Sequence, residues 1–264
     1  MFISGSLNIM TFKDHFSQQA GDYAKYRPDY PEALFEFLAK TARGRELVWD
    51  AGTGSGQAAL GLTKYFDRVL ATDPSETQIQ NAVRHAQISY TVAPAEQTDI
   101  PSHSVDLITV AQALHWFNFD AFYREARRVL KPDGLLAVWC YGLNEISPAV
   151  DEVVRHLYTN IVGPYWPRER KFIDEKYQTI PFPFSELPPP ALHMEQMWDL
   201  SDFVGYLQTW SATQRFRQEN DQDPLDIVRK ALTRAWGEAY QKRRVQWPIY
   251  IRIGRISTLP AGRS

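Results

Sequence analysis

The chain has a single cysteine, Cys140, in 264 residues. That excludes an intramolecular disulfide and a cysteine-based metal cluster. No apolar run approaches the ~20 residues that a membrane-spanning helix needs. Neither sign of charge is in excess: 29 basic residues against 31 acidic ones leave a net charge of −2. No overall basic field therefore draws nucleic acid or an anionic membrane surface. The opening stretch Met1 to Met10 has no basic segment ahead of an apolar one, so no secretory signal is expected, and the setting these features point to is cytoplasmic. Two nucleotide-binding patterns are missing as well. The dinucleotide fingerprint G-x-G-x-x-G needs a glycine where Gln57 stands, and no G-x-x-x-x-G-K-[ST] phosphate loop occurs. Internal repeats are absent too, and the length suits one domain spanning 1–264 with an insertion.

What is present is Val48-Trp49-Asp50-Ala51-Gly52-Thr53-Gly54-Ser55-Gly56. Apolar residues run into an acid, three glycines alternate with small residues, and a helix-compatible run follows. This reads as a buried parallel strand ending in a tight turn at a helix start, where glycine permits positive φ and lets a ligand approach without a Cβ in the way. Asp73 lies 21 residues beyond Gly52, at the end of the next apolar run. An acid there can accept hydrogen bonds from both hydroxyls of a nucleoside ribose. Further strands are expected at 88–92, 105–110, 135–139, 191–198 and 246–254, with helices at 31–42, 56–65, 76–85, 120–130, 148–161, 201–216 and 224–243. The strand–helix alternation up to residue 140 argues for a parallel sheet covered on both faces.

The pattern Asp-x-Gly-x-Gly-x-Gly at Asp50 to Gly56 resembles motif I of the class I S-adenosylmethionine-dependent methyltransferases. Asp73-Pro74-Ser75 resembles their ribose-binding motif, and Arg128 to Gly134 their post-helix turn. An acid at the loop suits a ligand end carrying an ammonium rather than a pyrophosphate. The aromatic leader ending Tyr26-Arg27-Pro28-Asp29-Tyr30-Pro31 is similar to the lid of the trans-aconitate methyltransferase-like branch, and Tyr206-Leu-x-Thr-Trp210-Ser to a segment near its substrate pocket. The resemblance is specific over about 12–141 and weaker to 254. It implies an α/β, Rossmann-like, seven-stranded, mostly parallel sheet with its last strand antiparallel. Helices would cover both faces, with a helical and aromatic lid over the sheet edge.

In that frame 12–30 is a lid segment, 31–141 the cofactor-binding core, 142–245 the substrate-lid insertions around the sixth strand, and 246–254 the last strand. The resemblance implies S-adenosylmethionine as cofactor, held by Tyr26, Arg27, Asp50, Ala51, Gly52, Thr53, Gly54, Gly56, Asp73, Pro74, Gln78, Ala95, Glu96, Gln112 and Ala113. Arg27 would meet the cofactor's carboxylate, a contact that suits a guanidinium, or else cap a helix end as a surface residue. Ala95 and Glu96 would border the adenine. Candidate acceptor-pocket residues are His115, Trp116, Tyr141, Tyr206, Trp210 and Arg215. His115 is the best placed general base if a hydroxyl is methylated, although a packed, pocket-shaping histidine is favoured. No metal is expected, because 111–117 offers no carboxylate after the fourth strand.

The expected reaction is methyl transfer to a carboxylate or hydroxyl oxygen of a small organic acid or polar metabolite, by a monomer or weak homodimer. A non-catalytic cofactor-binding module and a nicotinamide oxidoreductase are the other classes.

Overall fold

In the computed structural model, which describes residues 26–256, strand and helix alternate as far as Tyr141. The elements are α1 (Glu32–Thr41), β1 (Leu47–Ala51), α2 (Gln57–Leu62), β2 (Arg68–Asp73), α3 (Glu76–Asn81), β3 (Ile88–Val92), β4 (Val105–Ala111), α4 (Phe119–Val129) and β5 (Leu130–Tyr141). A 3-10 turn, Leu114–Trp116, separates β4 from α4. β1 is buried along its whole length and β4 along all but its last residue, as strands covered on both faces are. The pairings β3-β2-β1-β4-β5 are all parallel. Their carboxyl ends therefore share one edge, where open α/β sheets bind ligands.

Beyond Tyr141 come α5 (Pro148–His156), a π turn (Leu157–Ile161), α6 (Arg170–Asp174), β6 (Ser185–Leu187), β7 (Leu192–Trp198), α7 (Leu200–Gln208), α8 (Ser211–Asn220), α9 (Pro224–Trp236) and β8 (Arg243–Arg255). β8 runs antiparallel to β5, from Leu135 opposite Arg255 to Tyr141 opposite Ile249. β6 and β7 pair with the two ends of its other side. This is the expected mixed α/β sheet, mostly parallel, with the last strand antiparallel. Its seventh position is shared by two strands, making eight in all. Pro188-Pro-Pro190 lies between those two; proline has no N–H to give the ladder, so the edge strand is interrupted there.

The helices expected to reach residues 65 and 85 end at Leu62 and Asn81, and there are three further departures from the sequence reading. The helix expected at 201–216 is two helices, and its N-cap is Asp199, whose carboxylate accepts from the backbone of Ser201 and Asp202. The break falls where Thr209 turns its hydroxyl back to the carbonyl of Tyr206 and Trp210 becomes extended. The helix expected to reach Arg243 stops at Trp236, ahead of Gly237 at φ 80°. Lys131 to Gly134, expected as a turn, lies inside β5, with Asp133 at φ 60° and a shift of register against β4.

Side chains alternate across the sheet into two buried layers. Trp139 joins Leu34, Trp210 and Trp247 on one face, and Cys140 joins Trp49, Phe122 and Tyr177 on the other. No helix among the described residues is long and apolar enough to cross a membrane. Of the lid expected at 12–30, residues 12–25 lie outside the described residues.

Candidate functional site

The turn after β1 takes positive φ at all three glycines: 69° at Gly52, 55° at Gly54 and 83° at Gly56. They serve different ends. A Cβ at Gly52 would stand 2.7 Å from the Cβ of Ala113, so this glycine lets the loop close on the end of β4. At Gly56 a Cβ would strike the Tyr90 hydroxyl. A Cβ at Gly54 would meet nothing within 4 Å among the described residues. Gly54 thus presents bare backbone to open space at the carboxyl edge, the kind of cradle a ligand can enter. Its N–H donates to Asp73 Oδ2 at 2.9 Å, while Oδ1 accepts from Ser75 N at 2.9 Å. The second strand's acid thereby ties itself to the glycine turn. Ser75 also caps α3 by accepting from Gln78 N, which puts Pro74 and Gln78 at the same corner.

Asp50 is the clearest departure from the sequence reading. Expected beside a ligand's ammonium, it has no exposed surface, and neither does Ala51. Its carboxylate accepts from Thr53 Oγ1 at 2.6 Å and Thr109 Oγ1 at 2.7 Å. Burial pushes its pKa up to about 6 against the pull of those two hydrogen bonds. Asp50 acts on the loop from within, joining β1, the turn and β4. Thr109 was missed because a threonine mid-strand carries no sequence signal of such a role.

The end of the leader is docked on this edge. Gln57, the residue that breaks the dinucleotide fingerprint, donates to the Pro28 carbonyl and to Asp29, both at 3.0 Å. Arg27 donates to the Tyr141 hydroxyl at the end of β5, and Tyr30 meets Trp139 edge to face at 5.5 Å. The Tyr26 ring lies so close to α7 that a Cβ at Gly205 would stand 2.6 Å from it.

At the ends of β4 and β5, Gln112 takes φ 56°, unusual for a residue with a side chain. Its amide accepts from Tyr141 N at 3.1 Å, so it clamps the two strand ends together. Ala113, Leu114 and His115 follow, all buried. His115 is 6% exposed; its Nδ1 lies 2.8 Å from the Tyr177 hydroxyl, and its ring packs on Trp116. Burial, then the nearby Arg170 cation, hold its pKa near 3. The imidazole is therefore neutral at physiological pH and a poor proton acceptor. Glu96 accepts from Asn118 N at 2.8 Å, at the N-cap of α4, beside the buried Ala95.

The cover is built of aromatic rings. Tyr206 and Trp210 are buried, at 3% and 4% exposure. The Tyr206 hydroxyl accepts from Trp247 Nε1 at 3.0 Å, and Trp210 packs against Tyr158, Trp166 and Tyr206. Both are core of the cover in this conformation. Arg215 engages the Tyr165 carbonyl at 3.2 Å.

The surroundings of this chain among known proteins agree. Residues 49–138 match the family described as a methyltransferase domain. A candidate methyltransferase from Dictyostelium discoideum is 35% identical over 251 residues, covering 92% of this chain and 95% of that protein. A solved structure of a candidate type II methyltransferase from Anaeromyxobacter dehalogenans is 47% identical with a TM-score of 0.83, covering 87% of this chain and 98% of the other. A Saccharomyces cerevisiae protein named as a candidate S-adenosylmethionine-dependent methyltransferase is 30% identical over 132 residues, covering 47% of this chain and 45% of that protein.

Proposed function

The chain belongs to the class I S-adenosylmethionine-dependent methyltransferases, and from that premise we propose that it methylates a carboxylate or hydroxyl oxygen of a small organic acid or similar polar metabolite. Family membership displaces the nicotinamide alternative. One observation carries the cofactor assignment: Gly54 opens onto free space while its N–H is held by Asp73. The residues present fit the group. Asp73 has a carboxylate for ribose hydroxyls, the glycine turn offers backbone without side chains, and Arg27 stands at the end of β5 for a carboxylate. S-adenosylmethionine supplies an already activated methyl group, which leaves its sulfonium by in-line displacement.

The protein's part is then alignment and exclusion of water, which can supply most of the acceleration. Gln112 and Ala113 form the floor at the end of β4, and Tyr141 bounds the end of β5 while engaging Arg27. Trp116, only half-buried beside His115, can face a developing positive charge with its ring. His115 shapes this floor rather than taking a proton. A carboxylate acceptor, which needs no base, is accordingly favoured over a hydroxyl. Tyr158, Trp166, Tyr206 and Trp210 give the cover large amphipathic rings, suited to enclosing a small ligand rather than a macromolecule. A cytoplasmic setting belongs to the same reading.

Transfer of labelled methyl from S-adenosylmethionine into a pool of small carboxylic acids tests it. Turnover on one or more acids is expected. Robust methylation of RNA or protein, with no turnover on any small-molecule pool, overturns it.

A further inference from the structure

Arg170 opens α6 at the start of the second half of the insertion. Its guanidinium carbon stands 4.6 Å over the Trp166 ring and 5.3 Å over the Tyr158 ring. Its Nε donates to the Tyr158 hydroxyl at 2.7 Å, and that hydroxyl donates to Asp174. The Trp166 ring and one directed hydrogen bond to the Tyr158 hydroxyl thus restrain the guanidinium. The side chain is only 18% exposed, and its one carboxylate neighbour, Asp174, lies 3.8 Å from Nε. Among the described residues neither Nη1 nor Nη2 makes a hydrogen bond. Neither Nη atom is fully buried, so the fork stays open to an incoming acceptor.

The group also stands in the right place. α6 packs on the 3-10 turn that carries His115 and Trp116 after β4, and the Arg170 charge is felt at His115 and at Cys140 near the end of β5. Other arginines of the insertion half are engaged differently. Arg217 is paired with Asp223, Arg252 with Glu186, and Arg215 with the Tyr165 carbonyl. A second polar group at the same sheet edge supports the reading. Asn144, three residues beyond β5, is 4% exposed, yet among the described residues neither atom of its amide has a partner.

We propose that Arg170, rather than Arg215, is the specificity-determining anchor of the acceptor, its Nη1–Nη2 fork gripping a carboxylate that is not the one methylated. The substrate class is then a dicarboxylic or hydroxycarboxylic acid. The planar fork matches the two oxygens of a carboxylate, and Trp166 and the Tyr158 hydroxyl hold the side chain in place. Asn144 offers one donor and one acceptor to the remaining polar groups of such an acid.

This inference rests on the methyltransferase reading with an acid acceptor, and its test separates the two. Methyl transfer is measured with a panel of dicarboxylic and hydroxycarboxylic acids and their monoamides, for wild type, Arg170→Lys and Arg170→Met. Calorimetric S-adenosylmethionine affinity and the circular dichroism spectrum report integrity of each protein. Wild type should favour an acid over its monoamide by fifty-fold or more in kcat/KM. Arg170→Met should bring that ratio within threefold of unity, mainly by raising KM for the acid, with cofactor affinity within twofold of wild type. Arg170→Lys should recover part of the ratio, because it restores the charge but not the fork. A purely structural role would lower turnover of acid and monoamide alike. Discrimination retained in full by Arg170→Met overturns the anchor while leaving the acid-methyltransferase reading intact. Absence of wild-type turnover on every acid overturns that reading, and the anchor with it.

Discussion

The glycine-turn side of the site and its aromatic cover treat polar groups in opposite ways. On the turn side nearly every polar side chain is satisfied from within the protein: Asp50 by Thr53 and Thr109, Asp73 by Gly54 and Ser75, Gln57 by Pro28 and Asp29, Gln112 by Tyr141. Among the described residues the cover holds buried polar atoms with no partner, the Asn144 amide and the Thr213 hydroxyl, together with the open fork of Arg170; Trp139 Nε1, in β5 between the two regions, has none either. A cofactor shared by a whole family can be met by a preorganised backbone turn. An acceptor peculiar to one enzyme is met by side chains, whose donors wait on the ligand's chemistry. The turn thus carries the reaction class, and the cover is where the acceptor's chemistry is proposed to be read.

Substitutions on the turn should produce the largest effects. Gly54→Val should abolish measurable S-adenosylmethionine binding by calorimetry. Its Cβ would occupy the open space before the turn, and its φ of 55° adds roughly 1–2 kcal/mol of backbone strain without unfolding the domain. Wild-type affinity in that variant would break the comparison, since the turn would not be the cofactor's cradle. Asp73→Ala comes next. It should weaken the same binding strongly, because each charge-assisted hydrogen bond to a ribose hydroxyl is worth roughly 1.5–3 kcal/mol. An unchanged dissociation constant would remove the ribose assignment.

Arg27→Ala lies at the seam between the two regions, through its contact with Tyr141. It should raise the cofactor dissociation constant about tenfold or more, the equivalent of about 1.4 kcal/mol. If wild type binds S-adenosylmethionine and its decarboxylated analogue equally well, no such contact exists.

The smallest effect on rate is expected at His115, where pH gives the sharper test. Its folded pKa of about 3 lies below the ordinary 6.5. Its contribution to stability is therefore fully present above pH 6.5 and drains away as pH falls toward 3, where the unfolded chain is the better proton acceptor. Asp50 runs the other way: raised from 3.8 to about 6, it contributes fully below pH 3.8 and loses that contribution as pH rises through 6. In a thermal melt series His115→Gln should flatten the acid-side decline, and Asp50→Asn should flatten the opposing trend. Activity of His115→Gln should stay within about tenfold of wild type. A loss of roughly 10²–10⁴-fold, the usual range for a lost general base, would make His115 catalytic and the acceptor a hydroxyl.

Much of the turn side was legible before any coordinates. The glycine spacing, Asp50 and Asp73 are local signals, and so were β3 at 88–92 and the last strand beside β5. Local signals also marked Tyr206, Trp210 and Arg215 for the acceptor, since aromatic and basic residues stand out in a sequence. The structure buries the first two in the cover and engages the third with Tyr165. Arg170 and Asn144 went unnoticed because nothing in their neighbours along the chain distinguishes them. Their significance lies in partners that are absent or distant in sequence.

Hydrophobic runs, a φ that only glycine takes easily and short fixed spacings specify the parallel sheet, the glycine turn and the acid after the second strand. Tertiary packing turns the Asp50 carboxylate to Thr53 and Thr109 and fastens the leader through Gln57. Burial disfavours a charged His115, and Arg170 lies against the Trp166 ring with its fork open. Those outcomes depend on desolvation and on contacts between residues far apart along the chain, and neither is written in any stretch of sequence.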